Sequence, residues 1–266
     1  MLILFKCKPY LLVVSSFSIR FINNLSMLFM KWDYLFFCLI FLSCTPVKTP
    51  TAEEIIKQSV DLYGWNQKEY SLVFDFRDYE YELIRKPSFY SYQRITDKKE
   101  GRIRDLMNSN NSLKRYIDDQ QISLEDSIAK VYSNSLNSVL YFFQLPRPLL
   151  DSAVISSYTG ITKIEDNDYW TLKVTFKEAG GGEDYQDEYR YWIDAKTHQI
   201  KYLAYNYLTD GGGTRFRVAK NFRRLGGFLF QDYTNFKPKT KFVSLDSLPK
   251  LYVRGKLEVV SQIENQ

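Results

Sequence analysis

The sequence predicts a mainly β domain of antiparallel strands, with a helix at its start and one helical insertion. Three observations carry this. Apolar and polar residues alternate at period two through much of the chain after residue 70. Trp170, Leu172, Val174 and Phe176 against Thr171, Lys173, Thr175 and Lys177 form the plainest case, the pattern of a half-buried strand. The breaks between such runs are short and carry Gly, Asn or Asp, which favour tight reversals and hence antiparallel neighbours. Aromatic residues are abundant, with 21 Tyr and 19 Phe. A ring with an apolar body, and in Tyr a polar tip, suits sheets that are part core and part surface.

Taken in chain order, the first element is a helix. Thr51 and Glu54 have the spacing of a capping box, and Ile55, Ile56, Val60 and Leu62 recur at helical spacing up to Gly64. Ser71 to Lys86 reads as a strand block broken by Pro87, and Phe89 to Thr96 as the next strand. Arg102 to Met107 and Leu113 to Ile117 flank Asn108-Ser109-Asn110-Asn111, a hairpin with Asn at its tip. From Ser123 to Phe143 the period changes to 3.6. Ser123 and Asp126 resemble a cap; Ile128, Val131, Leu136, Val139, Leu140 and Phe143 set the rhythm; Pro146 and Pro148 end it. Strands resume around Trp170, and Gly180 to Gly182 form a loop. Tyr185 to Asp194 pairs with Ile200 to Tyr207 across residues 195–199. Gly211 to Gly213 turn the chain again. Arg215 to Asn221, Gly227 to Tyr233 and Tyr252 to Ile263 complete the meander. No repeat or linker divides residues 52–266, which are expected to form a single domain.

The N-terminus reads as an address. Residues 30–43 form a signal peptide: Lys31 supplies a basic start, Tyr34 to Leu42 a short apolar run, and Ser43 a small residue before Cys44. The run is short for a bilayer span. Cys44 is the expected lipidation site, although Leu42 stands one place later than in the usual lipobox. A plain secretory signal or an uncleaved anchor is the alternative. Residues 1–29 are expected to be an over-extended or non-structural N-terminus, with a membrane-embedded hairpin as the competing reading. Residues 44–51, with Pro46 and Pro50, form a tether. Together these place the protein in the cell envelope, lipid-anchored, on the periplasmic face of the outer membrane.

Composition narrows the chemistry. The net charge is +5, and the first 43 residues hold four basic residues and one acidic one, leaving 32 basic and 30 acidic residues after them. That balance gives no electrostatic footprint for nucleic acid. The three cysteines, Cys7, Cys38 and Cys44, all precede the domain, so it has no Cys zinc site, Cys nucleophile or internal disulfide. His198 is the single histidine and falls in a predicted turn facing water, which argues against a His-rich metal site or a Ser-His-Asp triad. Neither Gly triplet precedes a helix or a GK[ST] string, so neither is a phosphate loop. They permit positive φ in tight connections or form the rim of a cavity. Glu183, Asp184, Asp187 and Glu188 offer paired acids for hydrolysis; the simpler reading is an acidic hairpin tip facing water. No catalytic residue, metal ligand or cofactor is assigned.

The segment YRYWIDAKTHQIKYLAYNY resembles the strand–D-x-x-T–strand hairpin of periplasmic lipoprotein carriers. That resemblance implies a highly curved, half-open antiparallel barrel whose helices close over the concave face, holding acyl chains or lipopeptides. Over roughly residues 52–236, the strings NSVLYFFQLP, GGGEDYQDEYRYWID and YLAYNYLTDGGGTRFR, with Asp232-Tyr233, are similar to an uncharacterised family of envelope proteins from the Bacteroidetes lineage. That family has no established catalytic residues, so none carries over. Aldolase-type names attached to such proteins do not fit, because an aldolase barrel alternates β and α units.

If the helical insertion covers the concave sheet, Asn137, Val139, Leu140 and Phe143 from the helix, with Tyr205, Tyr207, Arg215 and Arg217 from the strands, line the cavity. Arg215 and Arg217 share a strand face opposite Phe216 and Val218 and offer planar donors to an anionic head group; the alternative is an ion pair with Asp187 or Glu188. The expected function is binding of a lipid, lipopeptide or other amphipathic small molecule, or of a protein partner. A carboxylate-dependent envelope hydrolase and a non-catalytic structural protein are the alternatives. The expected partners are that ligand and the membrane through the anchor, with no nucleic acid.

Overall fold

The computed structural model describes residues 49–109, 112–179 and 185–265. The expected signal peptide, Cys44 and most of the tether lie outside them. Among the described residues, thirteen strands divide between two antiparallel sheets, each a simple meander. The first holds β1 (Tyr70–Phe76), β2 (Tyr79–Lys86), β3 (Phe89–Lys98), β4 (Gly101–Asn108), β5 (Leu113–Ile117) and β6 (Gln120–Ile122). The second holds β7 (Val154–Ile164), β8 (Asn167–Phe176), β9 (Glu188–Asp194), β10 (Ile200–Tyr207), β11 (Gly213–Leu225), β12 (Phe228–Pro238) and β13 (Leu257–Ile263). Strand order follows chain order and neither sheet closes. The mainly β, half-open antiparallel architecture is therefore present, with its strands in two sheets and not in one continuous sheet.

The helix α1 (Ala52–Tyr63) starts on the expected capping box. The Glu54 amide donates to Thr51 Oγ1 at 3.1 Å, and the Thr51 amide donates to Glu54 Oε2 at 2.8 Å. Gly64 ends it at φ 78°. The helix α2 (Asp126–Phe143) joins the two sheets. It begins three residues later than Ser123, with Glu125 at the cap position and no side-chain cap bond.

One core unites both sheets and both helices. Ile55, Ile56, Val60 and Tyr63 from α1, and Leu136 and Leu140 from α2, pack with Phe74, Leu83, Leu172, Tyr191, Leu203 and Phe230 from the strands. A second apolar cluster lies on the other face of the β7–β13 sheet. Trp192, Tyr202, Phe216 and Tyr169 pack there with Leu245 and Leu248, under a short helix α3 (Leu248–Val253). That sheet is thus covered on both faces, and so Tyr189 to Ile193 is an unbroken buried run. Such a run is what a doubly covered strand shows.

Three local readings change. Ser71 to Lys86 is two strands, because Arg77 adopts φ 57° and turns the chain without glycine. Tyr252 belongs to α3; Pro249 sits in that helix's first turn and Gly255, at φ 63°, lets the chain leave for β13. Ile128 and Val131 follow the helical rhythm but are 44% and 62% exposed, since the first turns of α2 meet the first sheet through Tyr132 and Ser133 on another face.

Candidate ligand-binding site

The end of α2 carries Val139, Leu140 and Phe143 onto the interior face of both sheets. Phe143 stacks on Phe74 of β1 with centroids 3.6 Å apart and meets Phe230 of β12 at 5.3 Å. Phe142 faces Tyr205 of β10 at 5.6 Å. Period two along β11 turns Arg215, Arg217 and Ala219 to one face, while Phe216 and Val218 join the outer cluster. The interior between helix and sheets is filled by aromatic and aliphatic side chains. The space left is a cleft of about 270 Å³ beside α2. Val139, Phe142 and Phe143 form one wall; Arg217, Tyr233 and Asn235 form the other; Ser135 and Ser138 line it from the helix.

Arg217 is the centre of this cleft. Its Nη2 donates to the Tyr205 hydroxyl at 2.8 Å, and its guanidinium lies 3.9 Å from the Phe142 ring centroid and 5.3 Å from that of Tyr205. Among the described residues no carboxylate forms an ion pair with it. Its Nε is buried without a hydrogen-bond partner, as is Asn235 Oδ1. Asn235 is 8% exposed, and its Nδ2 reaches Ser261 Oγ only at 3.4 Å. Buried donors and acceptors normally find partners, and each orphan is costly. One unpartnered cationic donor and one unpartnered neutral acceptor thus lie side by side in the wall of the cleft, next to aromatic rings.

The other candidates are placed as follows. Val139 and Phe143 line the cleft with Arg217. Tyr205 stands behind Arg217 as its acceptor and stacks on Tyr189 at 5.2 Å. Leu140 is completely buried in the core, so its surface is spent on holding α2. Asn137 is exposed on α2. Arg215 is half-buried, donates to the Thr214 carbonyl at 3.0 Å and lies 5.0 Å over the Tyr207 ring. Tyr207 in turn packs on Gly213, where a Cβ would stand 3.1 Å from its hydroxyl. Arg215 and Tyr207 therefore form a separate pair along the sheet. Ser135, Phe142, Tyr233 and Asn235 are cleft residues that the sequence did not single out; a serine on a helix and an Asn in a strand carry no signal of their own.

A buried charge cluster fixes α2 against the first sheet. Asp105 is 1% exposed and accepts from Arg94 Nε at 2.9 Å and from Arg115 Nε and Nη2 at 2.6 and 2.8 Å. Arg94 Nη1 donates onward to Ser135 at 2.9 Å, and Arg115 lies 3.6 Å over Tyr132. Hydrogen bonding to Asp105 pushes the Arg115 pKa up. Burial also raises the phenols of Tyr70 and Tyr233 to about 12, and those of Tyr63, Tyr189 and Tyr191 well above the usual value. The Tyr141 and Tyr191 hydroxyls interact across the interior, but not in hydrogen-bond geometry.

The described acids of the acidic segment are not exposed. Asp187 is buried, and Glu188 pairs with Lys173 at 3.0 Å and with Arg190 at 2.9 Å; Glu183 and Asp184 lie outside the described residues. His198 turns at φ 61° but stacks on Trp170 at 5.2 Å, with Nδ1 buried, so it is half-packed where a solvated side chain was expected. Among the described residues no three His, Cys, Asp or Glu side chains converge as a metal site, and no helix is long and apolar enough to cross a membrane.

A family model described as Family of unknown function (DUF6503) matches residues 31–265. The chain belongs to that family. No curated protein matches this DUF6503 member. Solved structures do. A LolA superfamily protein of Nitrosomonas europaea is 14% identical with a TM-score of 0.45, covering 73% of this chain and 89% of its own. A DUF1329 family protein of Desulfovibrio piger is 11% identical at 0.44, with the same two coverages. A domain of Vibrio parahaemolyticus named for outer membrane lipoprotein sorting is 8% identical at 0.39, covering 76% of this chain and 99% of its own. The fold of the DUF6503 chain rests on its own strand pairing.

Proposed function

We propose that this protein is a non-catalytic envelope lipoprotein that binds an amphipathic ligand, with the polar head of the ligand at Arg217 and Asn235. The observation that carries this is the Arg217 guanidinium, which among the described residues pairs with no carboxylate and whose Nε has no hydrogen-bond partner. A half-buried cation without a carboxylate partner is expensive for a fold, and an anionic head group supplies what it lacks. With both buried groups turned toward the cleft, phosphate or carboxylate oxygens accept from Nε, and a hydroxyl or amide N–H on the same head donates to Asn235 Oδ1. Val139, Phe142 and Phe143 then offer apolar surface to the adjoining part of the ligand. The cleft sits just below the usual volume of small-molecule sites, about 300–1,000 Å³. It therefore holds a head group and a short apolar segment, and a full acyl chain needs α2 to shift.

Anchoring through a lipidated Cys44 at the periplasmic face of the outer membrane belongs to the same proposal. The short apolar run before Ser43-Cys44 and the Pro-containing tether support it. Native mass spectrometry of the full chain purified from its own envelope tests the function. The expected result is a co-purifying amphiphile with an anionic head, lost in Arg217→Ala while the melting temperature holds. Absence of any adduct from both wild type and variant refutes the reading. The structural alternative is favoured by the filled interior; it predicts no ligand and a cleft insensitive to Arg217.

A further inference from the structure

A second concavity, of about 710 Å³, lies between α1, the β2–β3 turn and the 3-10 turn at residues 147–150. We infer that this groove is a binding site for a phosphate-bearing ligand, independent of the cleft at Arg217. Its rim is basic: Lys57, Lys68, Arg85, Lys86 and Arg147 line it, against Asp61. Lys57 is held by Glu53 at 2.5 Å. Among the described residues Lys68 and Lys86 have no ion pair.

The two arginines are placed but not neutralised. They share a single carboxylate oxygen, Asp151 Oδ1, at 3.9 Å from Arg85 and 3.4 Å from Arg147. Both distances exceed the roughly 2.7–2.9 Å of a strong charge-assisted bond. The Asp151 carboxylate is itself half exposed, so two guanidiniums face one loosely engaged acid.

Arg85 is also preorganised from below. Its Nη1 donates to the Tyr92 hydroxyl at 3.2 Å. That oxygen accepts from Gln144 Nε2 at 3.1 Å, while the Tyr70 hydroxyl donates to Gln144 Oε1 at 3.1 Å. Tyr70, Tyr92 and Gln144 are buried, so a hydrogen-bonded chain from the core fixes the guanidinium at the groove floor. A fixed fork loses little freedom on binding a tetrahedral anion, whereas a floppy surface arginine loses more. Several donors around one space suit phosphate, with its higher charge and three or more acceptor oxygens, better than a carboxylate. Leu150 and Pro87 add exposed apolar surface at the rim, which accepts the carbon skeleton that carries the phosphate.

The phosphate can belong to a lipid or to a soluble ester, and calorimetric titration of the full chain in neutral detergent separates the two. The probes are inorganic phosphate, glycerol 3-phosphate, and micelles doped with phosphatidic acid or with diacylglycerol of the same chains. At least one phosphate-bearing probe is expected to bind and to weaken as salt rises. Arg85→Gln with Arg147→Gln should reduce its affinity about tenfold or more. Phosphatidic acid alone binding identifies a lipid head group; equal binding of glycerol 3-phosphate identifies a soluble ester. If the arginine variant melts early, Lys68→Gln with Lys86→Gln, both exposed, is expected to cut affinity severalfold with the melting temperature unchanged. The inference fails if no phosphate-bearing probe binds above the diacylglycerol control, or if a folded variant of either kind binds as wild type does.

Discussion

Asp105 and Arg217 are both charged residues inside an aromatic interior, and their surroundings assign them opposite roles. Asp105 accepts three hydrogen bonds from two arginines, so its charge is compensated. Asp105→Asn leaves the buried Arg94 and the partly buried Arg115 without a counter-charge and should cost about 3 kcal/mol or more, read as a shift in the denaturation midpoint. Arg217 has no such compensation. Arg217→Met removes the orphaned cation and keeps much of the side-chain volume over Phe142. It should leave the melting temperature unchanged or raise it, while abolishing retention of the ligand proposed above. A marked loss of stability in that variant would assign Arg217 to the architecture. At this scale the sequence was partly legible. Period two placed Arg215 and Arg217 on the inner face, but it had no means of separating them. Arg217 meets Phe142 across the cleft, whereas Arg215 turns to Tyr207, a distinction made by a helix distant in sequence.

The helices show the same division between local and distant causes. The capping box of α1 is a four-residue pattern and forms as read; Thr51→Ala should destabilise the domain by about 1 kcal/mol, measurable by urea denaturation. The hold on α2 is tertiary. Leu136 and Leu140 are fully buried, and Leu140→Ala should cost about 2–5 kcal/mol, with an earlier thermal transition as its signature. The exposed Ile128 and Val131 mark where helical periodicity and burial part. Their spacing is right, but their face of α2 is turned to solvent, while Tyr132 and Ser133 beside them meet Arg115 and Met107 of the first sheet. The β1–β2 reversal was hidden for a different reason. Arg77 takes a left-handed conformation that ordinarily favours glycine or asparagine, so the turn carries no compositional mark.

For the whole molecule, the tyrosine interior sets a response to alkali. Neutral phenols are what the interior tolerates, so the folded chain keeps those protons to higher pH than the unfolded chain does. The folded values lie above the unfolded one of about 10, so this stability is fully present below pH 10 and is lost as pH rises through about 12 for Tyr70 and Tyr233. Thermal melts between pH 8 and 12 should show a falling transition temperature above pH 10, and the share of tyrosinate absorbance that belongs to the buried phenols should appear only on unfolding. Free ionisation of all tyrosines in the folded state would contradict it. What the sequence by itself determined is local: antiparallel strands from period two, the reversals at Gly and Asn, the α1 cap, and the period change that marks α2. What only the tertiary structure decided is how the strands divide into two sheets, which face of the second sheet α3 covers, and which polar groups are left without partners. Alternation and capping are set by neighbours a few residues apart, so they are written in the chain. Sheet division and polar satisfaction depend on contacts such as Tyr70 with Gln144 and Arg217 with Phe142. Such pairs lie far apart in sequence and meet only when the core closes.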